Sequence, residues 1–321
     1  MYSFRQLFII AIALGLILSA CGSPAPVVPA AGPVTLKIAV LPIIDTLPMY
    51  VAQQEGLFAK HGINVEFVPV ASAPERDQLL AAAQADGTVN ETLSDMMFNK
   101  DAIQVQAVRY ALRPTEGHGH FFILSSAQSG ITTPDGLKNI EIGVSQGTVI
   151  EYVTERLLQS AGLTADEIKT IAVPKIPDRM ALLASGELKA GVLPDPLASL
   201  AVGQGAVIVA DDSTHPEYGF SVLSFRKDVI DTNPEAVKGF LAAIEEATIL
   251  LNTDAAKYAN VLSDQKLVPP PLIGKFQVPP FPTAGVPTEA EWNDALAWAK
   301  EKGMLTVDVS YSDSVNSSFL P

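Results

Sequence analysis

Residues 35–70 read TLKIAVLPIIDTLPMYVAQQEGLFAKHGINVEFVPV, and this stretch contains one complete strand, helix and strand. The apolar run 36–41 predicts a strand, the helical spacing over 48–61 predicts a helix, and 64–68 predicts a second strand. A helical crossover joins strands that run parallel, because it returns the chain to the starting end of the sheet. The stretch therefore predicts an α/β fold.

The same alternation continues along the chain and predicts sheets that are mainly parallel. Further strands are predicted at 103–108, 140–144, 170–173, 190–193 and 206–209, and further helices at 73–84, 148–159, 178–185 and 196–202. About 290 residues follow position 33, which is more than one compact core usually serves. Two lobes are therefore expected.

Two apolar runs, 121–125 and 220–225, bracket the middle of the chain and are predicted to be the paired crossover strands of a hinge. Lobe 1 is then discontinuous and consists of residues 34–124 and 223–321, while residues 125–222 form lobe 2. Residues 80–95 and 183–199 share a helix end, a Gly turn, a short strand and a polar loop. Any two strand–helix units resemble each other this much, so this weak repeat carries little weight alone.

The N-terminus has the features of a secretory signal peptide. Arg5 is the one charged residue of 1–20, and the apolar run 7–20 follows it. This run is shorter than the roughly 20 apolar residues that a membrane-spanning helix needs. Residues 1–20 are therefore predicted to be a cleaved signal.

The signal ends in LSAC at 18–21, which resembles the bacterial lipobox, where the cysteine is acylated after cleavage. Cys21 is the only cysteine of the chain and so forms no intramolecular disulfide. Lipidation is the predicted role of Cys21; the alternative is an unpaired cysteine behind an ordinary signal peptide. Residues 21–33, rich in Pro and Ala, are predicted to be a tether. The protein is thus expected at the cell membrane, lipid-anchored on the extracytoplasmic face.

The acidic charge balance disfavours two classes of partner, nucleic acid and anionic lipid. The net charge is −14, and it becomes −15 when Arg5 is removed with the signal. An acidic protein is a poor partner for nucleic acid, whose phosphates need a basic surface. It is equally poor at binding anionic lipid directly, so the acyl anchor is expected to provide membrane residence.

The protein is further predicted to be a monomer and to have no cofactor.

The candidate ligand-binding residues follow from a general rule: open α/β sheets bind ligands beyond the carboxyl ends of their strands. The loop around 145–148 adds backbone N–H groups at a helix N-terminus, which receive carbonyl, carboxylate or phosphate groups well. Helix capping is an alternative role for Asp45, Thr46 and Asp195, and core packing is an alternative for Tyr50. The full predicted set is Asp45, Thr46, Tyr50, Asn90, Glu91, Arg109, Tyr110, Gln146, Gly147, Thr148, Tyr152 and Asp195.

A family resemblance covers most of residues 35–300. Residues 35–70 strongly resemble the opening of the NMT1/THI5-like and SsuA/TauA-like solute-binding proteins, and 143–148 and 182–196 provide further matches. The motif positions are Ala52, Gly56, Phe58, Gly62, Ile63 and Val65. The resemblance implies a type II periplasmic-binding-protein fold whose two lobes, joined by a hinge, close over one small molecule. It also implies ABC permease and ATPase partners, with nitrate, sulfonates, taurine, thiamine pyrimidine precursors or riboflavin as ligands.

The candidate residues favour one of these ligand classes. They include Asp45, Glu91 and Asp195 but only one cation, Arg109, whereas a bound anion needs Arg or Lys. Their aromatic and amide side chains suit a flat heterocycle with hydrogen-bonding edges. The expected ligand is a heterocyclic vitamin or precursor, riboflavin first and the thiamine pyrimidine precursor second. The alternative is a sulfonate, taurine or nitrate.

Catalysis is the alternative of another class. Fungal members of the resembled family synthesise the thiamine pyrimidine, but they carry a cysteine-rich segment that this chain lacks. His118-Gly119-His120 has a spacing that places two imidazoles on one side of a strand, yet the sequence offers no convincing third metal ligand. A binding protein without catalytic residues or a bound metal is therefore predicted.

The predicted lipid anchor can be tested by substitution of Cys21, the predicted site of acylation. We expect Cys21→Ser to abolish incorporation of labelled palmitate in a bacterial host and to move the protein from the membrane fraction to the soluble fraction, because Ser offers no thiol for acylation. Labelling and fractionation of wild-type protein provide the reference. Membrane retention of the unlabelled variant would contradict the anchor.

Overall fold

The alternation of strands and helices continues through residues 32–321, which the computed structural model describes. The strands are β1 (Val34–Val40), β2 (Ile63–Pro69), β3 (Gly87–Asn90), β4 (Val105–Leu112), β5 (Phe121–Ser125), β6 (Glu141–Val144), β7 (Lys169–Ala172), β8 (Ala190–Pro194), β9 (Val207–Asp211) and β10 (Ser221–Arg226). The predicted signal peptide, Cys21 and most of the tether lie outside the described residues.

Helices fill the connections between the strands. They are α1 (Leu47–Gln54), α2 (Leu57–Lys60), α3 (Ala73–Ala81), α4 (Thr92–Asn99), α5 (Val149–Ser160), α6 (Ile176–Ser185), α7 (Leu197–Gly203), α8 (Lys227–Thr232), α9 (Pro234–Thr253), α10 (Ala259–Asp264), α11 (Glu289–Glu301) and α12 (Tyr311–Ser314). None of the helices in residues 32–321 is long and apolar enough to cross a membrane.

The strands form two five-stranded sheets of the same design. Sheet 1 has the order β2-β1-β3-β10-β4, and sheet 2 has the order β7-β6-β8-β5-β9. In sheet 1, β1 pairs in parallel with β2 and β3, and β10 runs antiparallel to β3 and β4. In sheet 2, β6 pairs in parallel with β7 and β8, and β5 runs antiparallel to β8 and β9. Both sheets are therefore mainly parallel, as predicted, and each is mixed by one reversed strand.

The reversed strands mark the places where the chain changes sheet. It leaves sheet 1 after β4 and reaches sheet 2 at β5 through residues 113–120; it returns from β9 to β10 through residues 212–220. The predicted crossover runs thus correspond to β5 and β10. These strands lie in different sheets and are not paired with each other, so the chain crosses through the two connecting segments. The predicted lobe limits stay predictions.

Helix α11, near the C-terminus, contacts both halves of the molecule. Its Trp298 Nε1 donates to Glu155 on α5, 2.7 Å away, and its Glu291 accepts from the Tyr110 hydroxyl on β4 at 2.7 Å. Trp292 and Trp298 are buried in one core cluster with apolar residues of both sheets. A second core cluster, centred on α9, packs against sheet 1. Helix α11 therefore connects elements of both halves through side-chain contacts.

Candidate functional site

A cavity lies between the carboxyl edges of the two sheets, where loops from both sides converge. Its volume is about 60 Å³, far below the roughly 300–1,000 Å³ of pockets that hold drug-sized ligands. Polar side chains line it on both sides: Asp45, Arg76, Asn90 and Glu91 belong to the sheet 1 side, and His120, Ser145 and Thr148 to the sheet 2 side.

Arg76 is a buried cation on the sheet 1 wall. It lies in the first turn of α3, which Ser72 caps by accepting from the backbone N–H of Glu75. The Arg76 side chain is 3% exposed; its Nε donates to Asp77 at 2.8 Å, and its Nη1 reaches the Val89 carbonyl at 3.5 Å. Its Nη2 is buried without a hydrogen-bond partner and lies 3.8 Å from Glu91 Oε1. One donor at the wall is therefore unused.

Arg179 holds the corresponding place behind the sheet 2 wall. The fully buried side chain passes close to Gly143, where a Cβ would lie 3.5 Å from its methylene carbons. Nε donates to the Val192 carbonyl at 2.5 Å, and Nη1 donates to the Val173 carbonyl at 2.7 Å and to the Ser145 hydroxyl at 3.1 Å. Nη2 is buried without a hydrogen-bond partner. Burial lowers the pKa of Arg179 to about 10.

The two arginines occupy equivalent positions of an internal repeat. Residues 73–81 read APERDQLLA and residues 176–184 read IPDRMALLA. In both copies the arginine follows a proline and an acid, and it donates to the carbonyl of the matching valine, Val89 or Val192. The copies differ in their acids, because Met180 and Pro194 stand where the first copy has Asp77 and Glu91. In residues 32–321, no carboxylate lies within ion-pair distance of Arg179.

The loop between β6 and α5 forms the rest of the sheet 2 wall. Thr148 caps α5 by accepting from the Ile150 N–H at 3.2 Å, and it donates to the Ser145 carbonyl at 2.8 Å. The Ser145 hydroxyl accepts from Arg179 and donates to the Pro174 carbonyl at 3.0 Å. Both hydroxyl protons are thus donated to backbone carbonyls, and it is the positive end of the α5 dipole that favours negative charge at the cavity.

The acids of the sheet 1 wall are shielded from water. Burial raises the pKa of Glu91 to about 7, while the charge of Arg76 opposes this rise. Burial also raises the pKa of Asp95 to about 8, against the hydrogen bond that Ser224 donates to it. Asn90 donates from Nδ2 to Asp95 at 2.6 Å, and its Oδ1 is buried without a hydrogen-bond partner. This wall is therefore much less negative than its sequence suggests.

His120, in the connecting segment 113–120, contacts both the loop after β1 and the second connecting segment, 212–220. Its Nε2 lies 3.0 Å from Asp45 Oδ2, its Nδ1 lies 2.6 Å from the Gly219 carbonyl, and its backbone N–H donates to Asp212 at 2.7 Å. Both ring nitrogens face acceptors, which requires both to carry protons. Burial alone would lower the pKa of His120, but the charges of Asp45 and Asp212 outweigh it and raise the pKa to about 9. An imidazolium thus joins these segments beside the cavity.

Four of the twelve predicted residues line the cavity: Asp45, Asn90, Glu91 and Thr148. The three predicted rings lie elsewhere, because each packs in a core or against another helix. Tyr50 packs edge-on against Phe67, the Tyr110 hydroxyl binds Glu291, and the Tyr152 hydroxyl donates to Asp294 at 2.6 Å.

The other five predicted residues have structural partners away from the cavity. Arg109 binds Glu245 on α9 at 2.6 Å, and Thr46 donates to the Ile43 carbonyl. Gln146 Nε2 reaches the Thr170 hydroxyl, and the Gly147 N–H donates to Glu151. Asp195 accepts from the N–H and the hydroxyl of Ser199, which is a capping role.

Sequence reasoning missed Arg76, Arg179 and Ser145, and it considered His120 only as a metal ligand. The signal for the arginines was present, since the weak repeat beginning at positions 80 and 183 extends upstream through proline and arginine in both copies. His118 and His120 do not converge. The backbone of His118 forms a turn with Thr115 and its side chain borders a different pocket. In residues 32–321, no three His, Cys, Asp or Glu side chains are grouped to hold a metal.

Comparison with known protein sequences identifies relatives. The model of the NMT1-like family matches residues 29–263. The nitrate/nitrite binding protein NrtA of Nostoc sp. (strain PCC 7120) is 23% identical over 233 residues, which cover 66% of this chain and 52% of that protein. The chain thus spans about half the length of this curated relative.

Solved structures share the fold. The alkanesulfonate-binding protein SsuA from Xanthomonas axonopodis pv. citri, bound to MOPS, superposes with a TM-score of 0.75 at 18% identity, covering 89% of this chain and 99% of that one. The desulfurization enzyme DszB superposes with a TM-score of 0.65 at 16% identity, covering 89% and 97%. The predicted periplasmic-binding-protein fold is therefore confirmed.

The buried imidazolium makes stability depend on pH. The pKa of His120 is higher in the folded chain than the ordinary value of 6.5, so its contribution is complete below pH 6.5 and is lost as the pH rises through about 9. We expect His120 to contribute roughly 3 kcal/mol of the decline in unfolding free energy between these values. Urea unfolding across pH 6–9.5 measures it, and His120→Gln should flatten the decline. An equally steep decline in this variant would contradict the assignment, and His118→Gln serves as the control.

Proposed function

The chain belongs to the NMT1-like family, and on that premise we propose that it is the solute-binding protein of an ABC-type importer whose ligand is a small organic anion. The observation that carries the anionic ligand is the equivalent pair of buried arginines: Arg76 lines the cavity, and Arg179 lies behind the opposite wall, where it donates to the lining residue Ser145. The nitrate/nitrite-binding relative and the alkanesulfonate-binding structure are named for oxyanions, which agrees with this choice.

The energetics of burial favour an anion. A guanidinium removed from water costs several kcal/mol unless an anion or a full set of acceptors compensates it. Arg179 has two carbonyls and one hydroxyl as acceptors, one Nη2 without any, and no carboxylate partner among the described residues. An oxyanion between the Ser145–Thr148 wall and Arg76 would supply the missing negative charge. A sulfonate or carboxylate has enough oxygens to accept from both walls.

Apolar side chains complete the cavity and favour an organic anion over an inorganic one. Ile43 and Val89 contribute from the sheet 1 side, and Phe121, Ile150 and Ile176 from the sheet 2 side. A short hydrocarbon chain buried against them gains about 0.8 kcal/mol per CH₂. We therefore place an alkanesulfonate-like ligand ahead of nitrate.

The anion replaces the heterocyclic vitamin predicted from the sequence. That prediction rested on Tyr50, Tyr110 and Tyr152, whose rings do not line the cavity, and on Arg109 as the one cation. It also needs space for a multi-ring ligand, whereas the cavity measures about 60 Å³. Riboflavin and the thiamine pyrimidine precursor thus lose the contacts on which their selection depended.

Binding, rather than catalysis, is the proposed activity. One fold hosts both, as the desulfurization enzyme DszB demonstrates. Here the lining side chains supply charges and hydrogen bonds, and the one nearby imidazole, His120, is held between Asp45 and Gly219. An imidazolium fixed by two acceptors has no free nitrogen with which to accept a proton from a substrate.

Transport follows from closure in this proposal. A ligand that contacts both walls has more contacts in the closed state, so it shifts the open–closed equilibrium toward the form that a permease recognises. The predicted acyl group on Cys21 would keep the protein beside its permease and ATPase partners. The acidic mature chain would otherwise have little attraction to the membrane surface.

Arg179 provides the direct test of the ligand class. We expect wild-type protein to bind ethanesulfonate in calorimetric titration at pH 6.5, and Arg179→Met to bind it about 10- to 100-fold more weakly, because the buried positive charge behind Ser145 is lost. Lys169→Met is the matched control, since it removes an exposed positive charge from the same sheet. Circular dichroism verifies folding, and Arg179→Lys is the second variant if the methionine disturbs it.

Nitrate, taurine, riboflavin and the thiamine pyrimidine precursor complete the titration panel. Unchanged ethanesulfonate affinity in Arg179→Met would contradict the proposal that the buried arginines favour an anionic ligand. Tight binding of riboflavin, with no response to any anion, would overturn the proposed ligand class.

A further inference from the structure

The two copies of the internal repeat differ in charge, because the first copy has a buried acid, Glu91, that the second copy lacks. Arg76 and Arg179 are equivalent, yet only Arg76 has carboxylates beside it. Asp77 is about one-third exposed and lies outside the cavity lining, whereas Glu91 is 4% exposed and lines the cavity. Glu91 is therefore the resident negative charge at the place where the proposed ligand would bring its own.

The contact between Glu91 and Arg76 is loose enough to be replaced. Glu91 Oε2 accepts from the Leu93 N–H at 3.0 Å and thereby caps α4, while Oε1 remains 3.8 Å from Arg76 Nη2. This separation exceeds a hydrogen bond, and Nη2 has no other partner. A ligand oxygen bonded to Nη2 at about 2.9 Å would lie no more than about 7 Å from Glu91 Oε1.

Two negative groups this close in a buried site do not both stay ionised, because each disfavours the charged form of the other. We infer that Glu91 is the counter-ion of Arg76 in the empty cleft and that an anionic ligand binds together with one proton, which Glu91 takes up. The inference rests on the proposed anionic ligand. The proton comes from solvent and forms an O–H bond on a carboxyl oxygen of Glu91; no other bond changes.

Among the acids around Arg76, Glu91 is the one that both lines the cavity and titrates near neutral pH. Arg76 and Asp77 face it from α3, and Asp95 faces it from α4. Asp95, with its pKa raised to about 8 by burial, is largely protonated at neutral pH. Asp45, on the same side as Glu91, forms an ion pair with His120 of the opposite side, and their charges neutralise each other. The pKa of Glu91, raised to about 7 by burial, lies where a nearby anion changes its protonation most.

The sign of the pH dependence follows from these charges. A ligand anion raises the pKa of Glu91 further, so the proton-linked part of the binding free energy is complete below pH 7 and is lost as the pH rises through the higher pKa of the complex. Affinity should therefore be nearly constant below pH 7 and fall up to tenfold per pH unit above it.

Proton uptake is measured by pH-stat titration of the full-length protein with ethanesulfonate in unbuffered sodium chloride at pH 7.5. Sulfonate buffers are avoided, since they would compete for the site. We expect about one half to one proton taken up per ligand bound by wild type. Glu91→Gln retains an oxygen for the Leu93 N–H, and we expect it to take up much less than wild type and to bind more tightly than wild type at pH 8.

Asp77→Asn is the matched control, because it also removes an acid from Arg76 but leaves the cavity lining intact, and it should retain the uptake. Ethanesulfonate binding without proton uptake by wild type, or with equal uptake by Glu91→Gln, would overturn this inference and leave the anionic ligand standing. The absence of binding by every anion of the panel would overturn both.

Discussion

The main physical constraint on the cavity is the free-energy cost of burying two guanidinium groups away from water. The surrounding residues reduce this cost by supplying hydrogen-bond acceptors and negative charge. Arg76 and Arg179 are both almost completely buried at the carboxyl edges of their sheets. Each cation is held by a backbone carbonyl of the neighbouring strand, so the strand ends themselves supply acceptors. Both keep one nitrogen without a partner, and a charge left this incomplete favours an anion nearby.

The two halves compensate the positive charges of Arg76 and Arg179 differently, so the two sides of the cleft offer different groups to an anion. The sheet 1 side carries acids whose ionisation burial suppresses, and the sheet 2 side carries hydroxyl groups and a helix N-terminus. An anion approaching the second side meets donors and no carboxylate, whereas on the first side it must share Arg76 with Glu91. His120 and α11, which contact elements of both halves, determine how these walls face each other.

Much of the fold could be predicted from the sequence because each strand and helix is a local apolar pattern. Strand β3 was predicted only as the short strand of the weak repeat, because its residues, GTVN, are too few and too polar to signal a strand alone. The reversed direction of β5 and β10 could not be predicted, since pairing direction depends on which sheet a segment joins. Both segments were nevertheless recognised as apolar runs on either side of the chain centre.

The site was predicted less well because it depends on contacts between residues far apart in sequence. Tyr152 lies near the start of a helix that borders the cavity, yet its ring turns toward Asp294, 142 positions away. Arg109 looked like the available cation, but α9 supplies Glu245 as its partner. The loop residues Asp45, Asn90, Glu91 and Thr148 were found because strand ends converge by rule. The arginines were overlooked because they lie within helices rather than loops.

The most direct measurement is a crystal structure of the protein grown with ethanesulfonate at pH 6.5. We expect sulfonate oxygens within about 2.7–3.2 Å of Arg76 Nη2 and of a donor in the 145–149 loop, with Arg179 directly behind Ser145. A sulfonate bound outside this cavity, or one inside it that contacts neither of these walls, would contradict the claim that the buried arginines exist to receive an anion.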